Sequence, residues 1–398
     1  PTCQLAPFFL NLISLVSGLQ FATSSFSQVP FLTVWNAPTA RCLSQYGVDL
    51  DLGTFSIVQN ENQTFMGENI TIFYSEKLGL YPRYTGQGLP INGGLPQNAS
   101  LDKHLAVASE SIRTWIPDRD FQGLAVVDWE SWRPLWERDW DSKQVYQVKS
   151  RELVRSGHPD WSPAQVEAAA RADFQEAGRK FMERTLKLGQ QERPKGLWGF
   201  YGFPDCYNYY RDKSANYTGE CPAAELERND QLLWLWNVSS ALYPDIYLSL
   251  GLRHLDREVL LYSRHRILEA MRAGAPSAVS IWSERSFVLS QEHLVYTLGE
   301  SAALGSAGVV LWGDNAFSKS ENTCRAIKSY IDNTLGPYLV NVTAAAFLCS
   351  STICSSHGRC QRRNPTSSVY LHLDPAEWKS EFQCRCFPGW SGERCSQG

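Results

Sequence analysis

The sequence lacks a basic excess. Lys and Arg number 37 against 41 Asp and Glu, for a net charge of -4 and a pI near 6.0. No general positive field is available to nucleic acid, and an acidic polymer would have to be met by local Arg and Lys. Beyond a leader-like N-terminus, no apolar run reaches the roughly 18 residues that a membrane span requires. No Gly-x-Gly-x-x-Gly follows the first strand-like segment, which argues against a dinucleotide site.

What is present is a large core. At 398 residues, 43% hydrophobic and 12% aromatic, the chain suits one barrel-sized domain with a small appendage. Eleven cysteines and their C-terminal spacing indicate a disulfide framework and an oxidising compartment. Sequons at Asn62, Asn69, Asn98, Asn216, Asn237 and Asn341 point the same way. The run Phe8–Val16, followed by Ser17 and Gly18, resembles a signal-peptide core and cleavage zone. Residues 1–22 are therefore expected to be a leader whose start is incomplete. Secretion, lysosomal delivery or both are expected.

Short apolar strands alternate with helical stretches. Strand-like segments are Phe31–Trp35, Asn69–Tyr74, Leu124–Val127, Leu197–Tyr201, Asp245–Leu248, Ala278–Trp282 and Gly308–Trp312. Helical periodicity marks Leu101–Ile116, a stretch beginning at Ser162 with a Ser162/Gln165 capping box, Ala224–Leu242, Arg257–Arg272, Ser290–Leu304 and Lys319–Leu335. This order predicts an α/β fold, a distorted (β/α) TIM-like barrel, because strands apolar on both faces belong in a helix-covered parallel sheet. Asn36, Tyr74, Asp128, Glu130, Tyr201, Tyr247 and Trp312 close the strands or lie next to their ends, where such barrels build their sites.

The segment Val127-Asp-Trp-Glu130 stands out. Asp128 and Glu130, two apart at a strand end, share one small space, and like charges that close cannot both ionise cheaply. A proton-holding acid beside an ionised partner is the equipment of glycoside hydrolysis. The alternative is a helix N-cap at Asp128 followed by a solvated first-turn acid.

Past Asn341 the composition changes. Cys349-x4-Cys354-x5-Cys360 and Cys384-x-Cys386-x8-Cys395, with Gly389, Trp390 and Gly392, resemble an epidermal-growth-factor-like module. The short Cys-x-Cys step argues against zinc, and neither metal nor cofactor is expected. Residues 23–343 are assigned to the barrel and 344–398 to the module.

Longer motifs then accumulate: Thr71–Ser75, Gly88–Ser100, Leu124–Trp136, Leu197–Asn208, Leu298–Trp312 and Thr334–Thr343. From about Phe31 to Cys395 the chain resembles the animal and venom-type hyaluronidases, most nearly their acid-active lysosomal and serum branch. The resemblance implies cleavage of β-1,4 bonds of hyaluronan, and more weakly chondroitin, by a substrate-assisted retaining mechanism. Glu130 would protonate the leaving oxygen, and Asp128 would orient the substrate's 2-acetamido group. Tyr201 and Tyr247 would hold that group. Asn36, Tyr74, Arg133, Tyr209 and Trp312 would line the groove. Arg133 and Arg266 would meet glucuronate carboxylates, unless they serve structural ion pairs. The implied disulfides are Cys42–Cys324, Cys206–Cys221, Cys349–Cys360, Cys354–Cys384 and Cys386–Cys395, with Cys3 left in the leader.

The chain departs from the family pattern between Arg272 and Ser290, which is short; there Ala278–Trp282 and Glu284 would replace a strand and an acid. Asp245 stands where Ser is expected, and Val369–Glu381 is also short. The shortening leaves a hyaluronan-binding relative without cleavage as an alternative. A chitinase-like glycosidase is disfavoured because no acid precedes Asp128 between Gly123 and Val127. Oligomeric state is not legible.

Overall fold

The computed structural model describes residues 26–210, 216–252, 254–274 and 289–398. The leader, Cys3, the strand expected at Ala278–Trp282 and Glu284 lie outside the described residues.

In chain order the principal strands are β1 (Leu32–Asn36), β2 (Val58–Gln59), β3 (Ile70–Tyr74), β4 (Leu124–Asp128), β5 (Leu197–Phe200), β6 (Gly308–Trp312), β7 (Gly358–Arg362) and β8 (Phe382–Cys386). The principal helices are α1 (Leu101–Trp115), α2 (Gln144–Gly157), α3 (Pro163–Glu192), α4 (Asp256–Arg272) and α5 (Gly336–Ile353). They group into two compact units. One holds the chain up to Ile70, Gly202–Leu226 and Ala241–Gly398; the other holds Thr71–Tyr201 and Glu227–Ser240.

In the first unit β1 is central, hydrogen-bonded to β2 and β6, both parallel to it. All five β1 residues are buried, as a strand covered on both faces requires. Its register on β6 runs from Leu32 opposite Gly308 to Asn36 opposite Trp312. Gly308 is dictated by this close approach: a Cβ there would lie 2.2 Å from the Leu32 carbonyl oxygen.

In the second unit the strand order is β3-β4-β5, with β4 parallel to β5. Leu124 to Val127 are buried. α1 starts at Ser100, whose side chain accepts the Lys103 N–H. α3 begins with the Ser162/Gln165 capping box and buries Val166, Ala170, Phe174 and Phe181. Ser240 hydrogen-bonds the β5 backbone twice, its own N–H donating to the Trp198 carbonyl at 2.9 Å and its hydroxyl accepting the Trp198 N–H at 2.7 Å.

Three expectations are corrected. Asp245–Leu248 forms no strand: the Asp245 carbonyl accepts from Arg266 at 2.9 Å and the Tyr247 carbonyl from the Tyr262 hydroxyl at 3.1 Å. Side chains have taken the ladder acceptors. The helix expected over 224–242 is two, Ala223–Asp230 and Leu233–Val238, and the Trp236 indole meets the freed Asn229 carbonyl at 2.9 Å. The helix ending at Leu335 in the sequence reading instead passes through a π turn, Ile331–Leu335, into α5. Pro337 has no N–H to give the preceding turn, and the wider π turn lets the chain pass it without ending. α5 therefore runs across the boundary expected at 343/344, and no linker lies there.

The structure contains the five disulfides that the resemblance implies. Three of them fasten the antiparallel β7–β8 hairpin and its flanks. Among the described residues no helix is long and apolar enough to cross a membrane.

Candidate active site

Asp128 is the last residue of β4, Trp129 is buried and Glu130 is exposed. No helix begins here; the next helical turn is Trp136–Arg138. The N-cap alternative is thereby excluded. Trp129 wedges the segment. Its ring stacks on Tyr81 at 4.5 Å and meets His104 at 5.4 Å and Phe200 at 5.5 Å edge-on. Tyr81 in turn accepts the Trp132 N–H at 3.4 Å, and the Trp132 indole donates to the Pro82 carbonyl at 2.9 Å. Two indoles driven into the helix layer leave the carboxylates on either side of Trp129 at the strand end.

The Asp128 Oδ1 is enclosed without a hydrogen-bond donor. Burial, then the charge of Glu130, push Asp128 up to about 7; Arg133 pulls it back and Glu76 adds to the rise. Below that pH Asp128 holds a proton. Tyr201 follows β5 and donates its N–H to the Val127 carbonyl at 3.0 Å, which puts it beside Asp128. Tyr74 ends the neighbouring β3. Arg133 is buried, and its guanidinium reaches the Trp129 carbonyl at 3.5 Å. The second unit thus brings together Tyr74, Asp128, Glu130, Arg133 and Tyr201.

In the first unit, register places Asn36 beside Trp312. Asn36 is fully buried, with Nδ2 3.4 Å from the Phe65 carbonyl and no partner for Oδ1. Arg266 takes the structural ion-pair alternative that the sequence left open. Its side chain is 2% exposed and pairs with Asp245 and, at 3.3 Å, with Asp205. It also donates to Asn208 at 2.9 Å and lies over the Tyr209 and Tyr262 rings at 4.9 and 4.6 Å. Its structural ion-pair reading wins, because a buried guanidinium needs its carboxylates. The negative charge of Asp245 is thereby compensated. Tyr209 stands exposed on the segment that Arg266 holds, and the Tyr247 ring is half-buried.

Sequence reading missed His104. It begins the buried stripe of α1 with Ala108 and Ile112, and that i, i+4, i+8 spacing was the available signal. Its Nδ1 accepts the Leu80 N–H at 2.9 Å, so Nε2 carries the proton toward Thr185, also at 2.9 Å. Burial lowers His104 to about 4. An unfolded His protonates from about 6.5 downward, so stability is lost as pH falls from there to about 4, by about 3 kcal/mol in total. Thermal or urea unfolding between pH 7 and 4 should show this loss, and His104→Gln should flatten it.

The family profile described as Hyaluronidase matches residues 20–381. Hyaluronidase-1 of Sus scrofa is 46% identical over 432 residues, spanning 100% of this chain and 98% of that protein. Hyaluronidase-1 of Homo sapiens is 45% identical over 100% of this chain and 98% of its own length. The crystal structure of bee venom hyaluronidase in complex with a hyaluronic acid tetramer is similar at 32% identity and a TM-score of 0.70, covering 78% of this chain and 99% of that one. The fold is the α/β class expected, a distorted TIM-like (β/α) barrel with a disulfide-rich C-terminal module. The chain belongs to the hyaluronidase family of glycoside hydrolases.

Proposed function

We propose that the protein is an endo-β-N-acetylhexosaminidase that hydrolyses the β-1,4 bonds of hyaluronan, and chondroitin more weakly, with retention. The observation that carries the reading is the intact pair at the end of β4: an enclosed Asp128 that keeps its proton up to about pH 7 beside an exposed Glu130. Both acids leave one strand end, so neither serves as an opposite-face nucleophile or base. The substrate's acetamido carbonyl oxygen takes that part. It bonds to the anomeric carbon as the glycosidic bond breaks, and the leaving oxygen takes the Glu130 proton. Water then attacks the same carbon, returns a proton to the Glu130 carboxylate and releases the sugar with retained configuration.

Asp128 enters protonated and orients the acetamido group. Its proton passes to solvent water as the glycosidic bond breaks, and its carboxylate balances the positive charge that develops on the acetamido nitrogen. It takes a proton back when the sugar is released. The family resemblance assigns Tyr201 and Tyr247 to that group and Asn36, Tyr74, Tyr209 and Trp312 to substrate contacts. Arg133 meets a glucuronate carboxylate. The disulfides and the exposed sequons Asn62, Asn98, Asn216 and Asn237 support secretion, with lysosomal delivery as a further destination.

Asp128→Asn tests the division of labour. It keeps shape and neutrality but has no proton to release. It should lower kcat on hyaluronan by on the order of 100-fold with little change in KM, and remove the fall of activity above pH 7 that Asp128 ionisation causes in the wild type. Reducing-end release between pH 4 and 8 measures both; wild-type kcat in this variant would refute the role given to Asp128.

A further inference from the structure

Asp139 is a buried carboxyl that the reaction does not use. It caps the turn Trp136–Arg138, is 0% exposed, and its Oδ1 accepts the Arg133 backbone N–H at 2.8 Å. Its Oδ2 is enclosed without a partner. A carboxyl so placed closes the loop from Arg133 to Asp139 directly after the carboxyl pair. Arg133 spans the gap: its backbone is held by Asp139, its guanidinium reaches the Trp129 carbonyl, and it pulls on the proton of Asp128.

The rest of the loop is pinned to the helix layer. The Trp136 N–H donates to Gln175 at 3.0 Å, the Trp136 indole to Glu167 at 3.0 Å, and Gln147 to the Trp136 carbonyl at 2.7 Å. Helices α2 and α3 therefore hold the far end of the loop, and Asp139 transfers that rigidity back to Arg133.

The geometry points to Asp139 as a positioning residue of the cleavage site, fixing Arg133 and, through it, the Trp129–Glu130 segment and the charge that Asp128 sees. This rests on the proposed hyaluronan cleavage. Charged and titratable groups around Asp139 are Arg133 and Glu137 on its own loop, Lys143 on the next turn and Tyr146 on α2. Burial outweighs the two cations and raises Asp139 well above the usual carboxylate range. Asp139 acts as a neutral acceptor, and an amide replaces it faithfully.

The test compares Asp139→Asn with Asp139→Leu, measuring kcat and KM on hyaluronan from pH 4 to 8, alongside wild type and Glu130→Gln. Asp139→Asn should stay within about threefold of wild-type kcat with the wild-type pH profile. Asp139→Leu, which orphans the Arg133 N–H, should lose 10- to 100-fold in kcat with KM within threefold. Its alkaline limb should move to higher pH, since a displaced Arg133 no longer draws the proton off Asp128. Wild-type kcat in Asp139→Leu, or equal damage in both variants, overturns the inference. If Asp139→Leu is not secreted, Asp139→Asn decides alone: an unchanged profile supports the neutral role, and a displaced limb or kcat below a tenth of wild type refutes it. Failure of wild-type protein to cleave hyaluronan, or full cleavage by Glu130→Gln, is failure of the functional reading and not of this inference.

Discussion

Glu130→Gln should abolish hyaluronan depolymerisation while the protein is secreted in wild-type amounts. The amide is isosteric but has no acidic proton to give the leaving oxygen and cannot take one back from water. Losing a positioned general acid costs about 100- to 10,000-fold in rate. Glu130 is exposed, so the change removes no buried contact, and surface substitutions of this kind usually alter stability by less than about 0.5 kcal/mol. Chain length of hyaluronan by gel electrophoresis, with thermal unfolding of the same preparation, separates chemistry from folding. Undiminished shortening would sink the assignment of Glu130. Retained binding of unshortened chains by the wild type would instead favour a binding relative.

Glu300→Leu should be strongly destabilising. Glu300 is 0% exposed and accepts from Arg264 of α4 at 2.6 Å and from Arg362 of β7. The same two arginines hold the C-terminal segment by its carbonyls, Arg264 at Thr366 and Ser367 and Arg362 at Pro365 and Val369. One carboxylate thus serves a barrel helix and the module hairpin together. Removing it leaves two buried guanidiniums facing each other's charge, and breaking a buried pair costs roughly 3–5 kcal/mol. That is a large part of the roughly 5–15 kcal/mol that holds a protein folded. Loss of secretion, or a Tm lower by on the order of 10 °C, is expected; a Tm within about 2 °C of wild type would show that the carboxylate does not hold the module.

This arrangement bears on the C-terminal module. Its cysteine spacing suggested a separate appendage, yet α5 enters it without a linker, and Arg359 reaches back to the carbonyls of Val29 at 3.1 Å and Ser27 at 2.9 Å. The module is part of the unit that carries β1 and β6.

Local chemistry was legible in the sequence. The β4 run of four apolar residues ending in acids, the Ser162/Gln165 cap and the Gly308 strand each depend on neighbours a few residues away. Periodicity and cap chemistry report such short-range interactions directly. Pairing through space was not legible. Nothing in Asp245–Leu248 announces that Arg266 and Tyr262 will take its carbonyls, since both donors lie on a later helix. Arg266 is open to either a ligand or an ion pair until two carboxylates close on it. His104 and Asp139 read as ordinary polar residues until burial removes water from them. The sequence alone determined the β1, β3, β4, β5 and β6 strands, the carboxyl pair and the cysteines, because these are properties of short segments. Only tertiary structure decided that Asp128 is desolvated, which arginine is committed and which buried carboxyl steadies the site, because desolvation and charge pairing arise when distant segments meet.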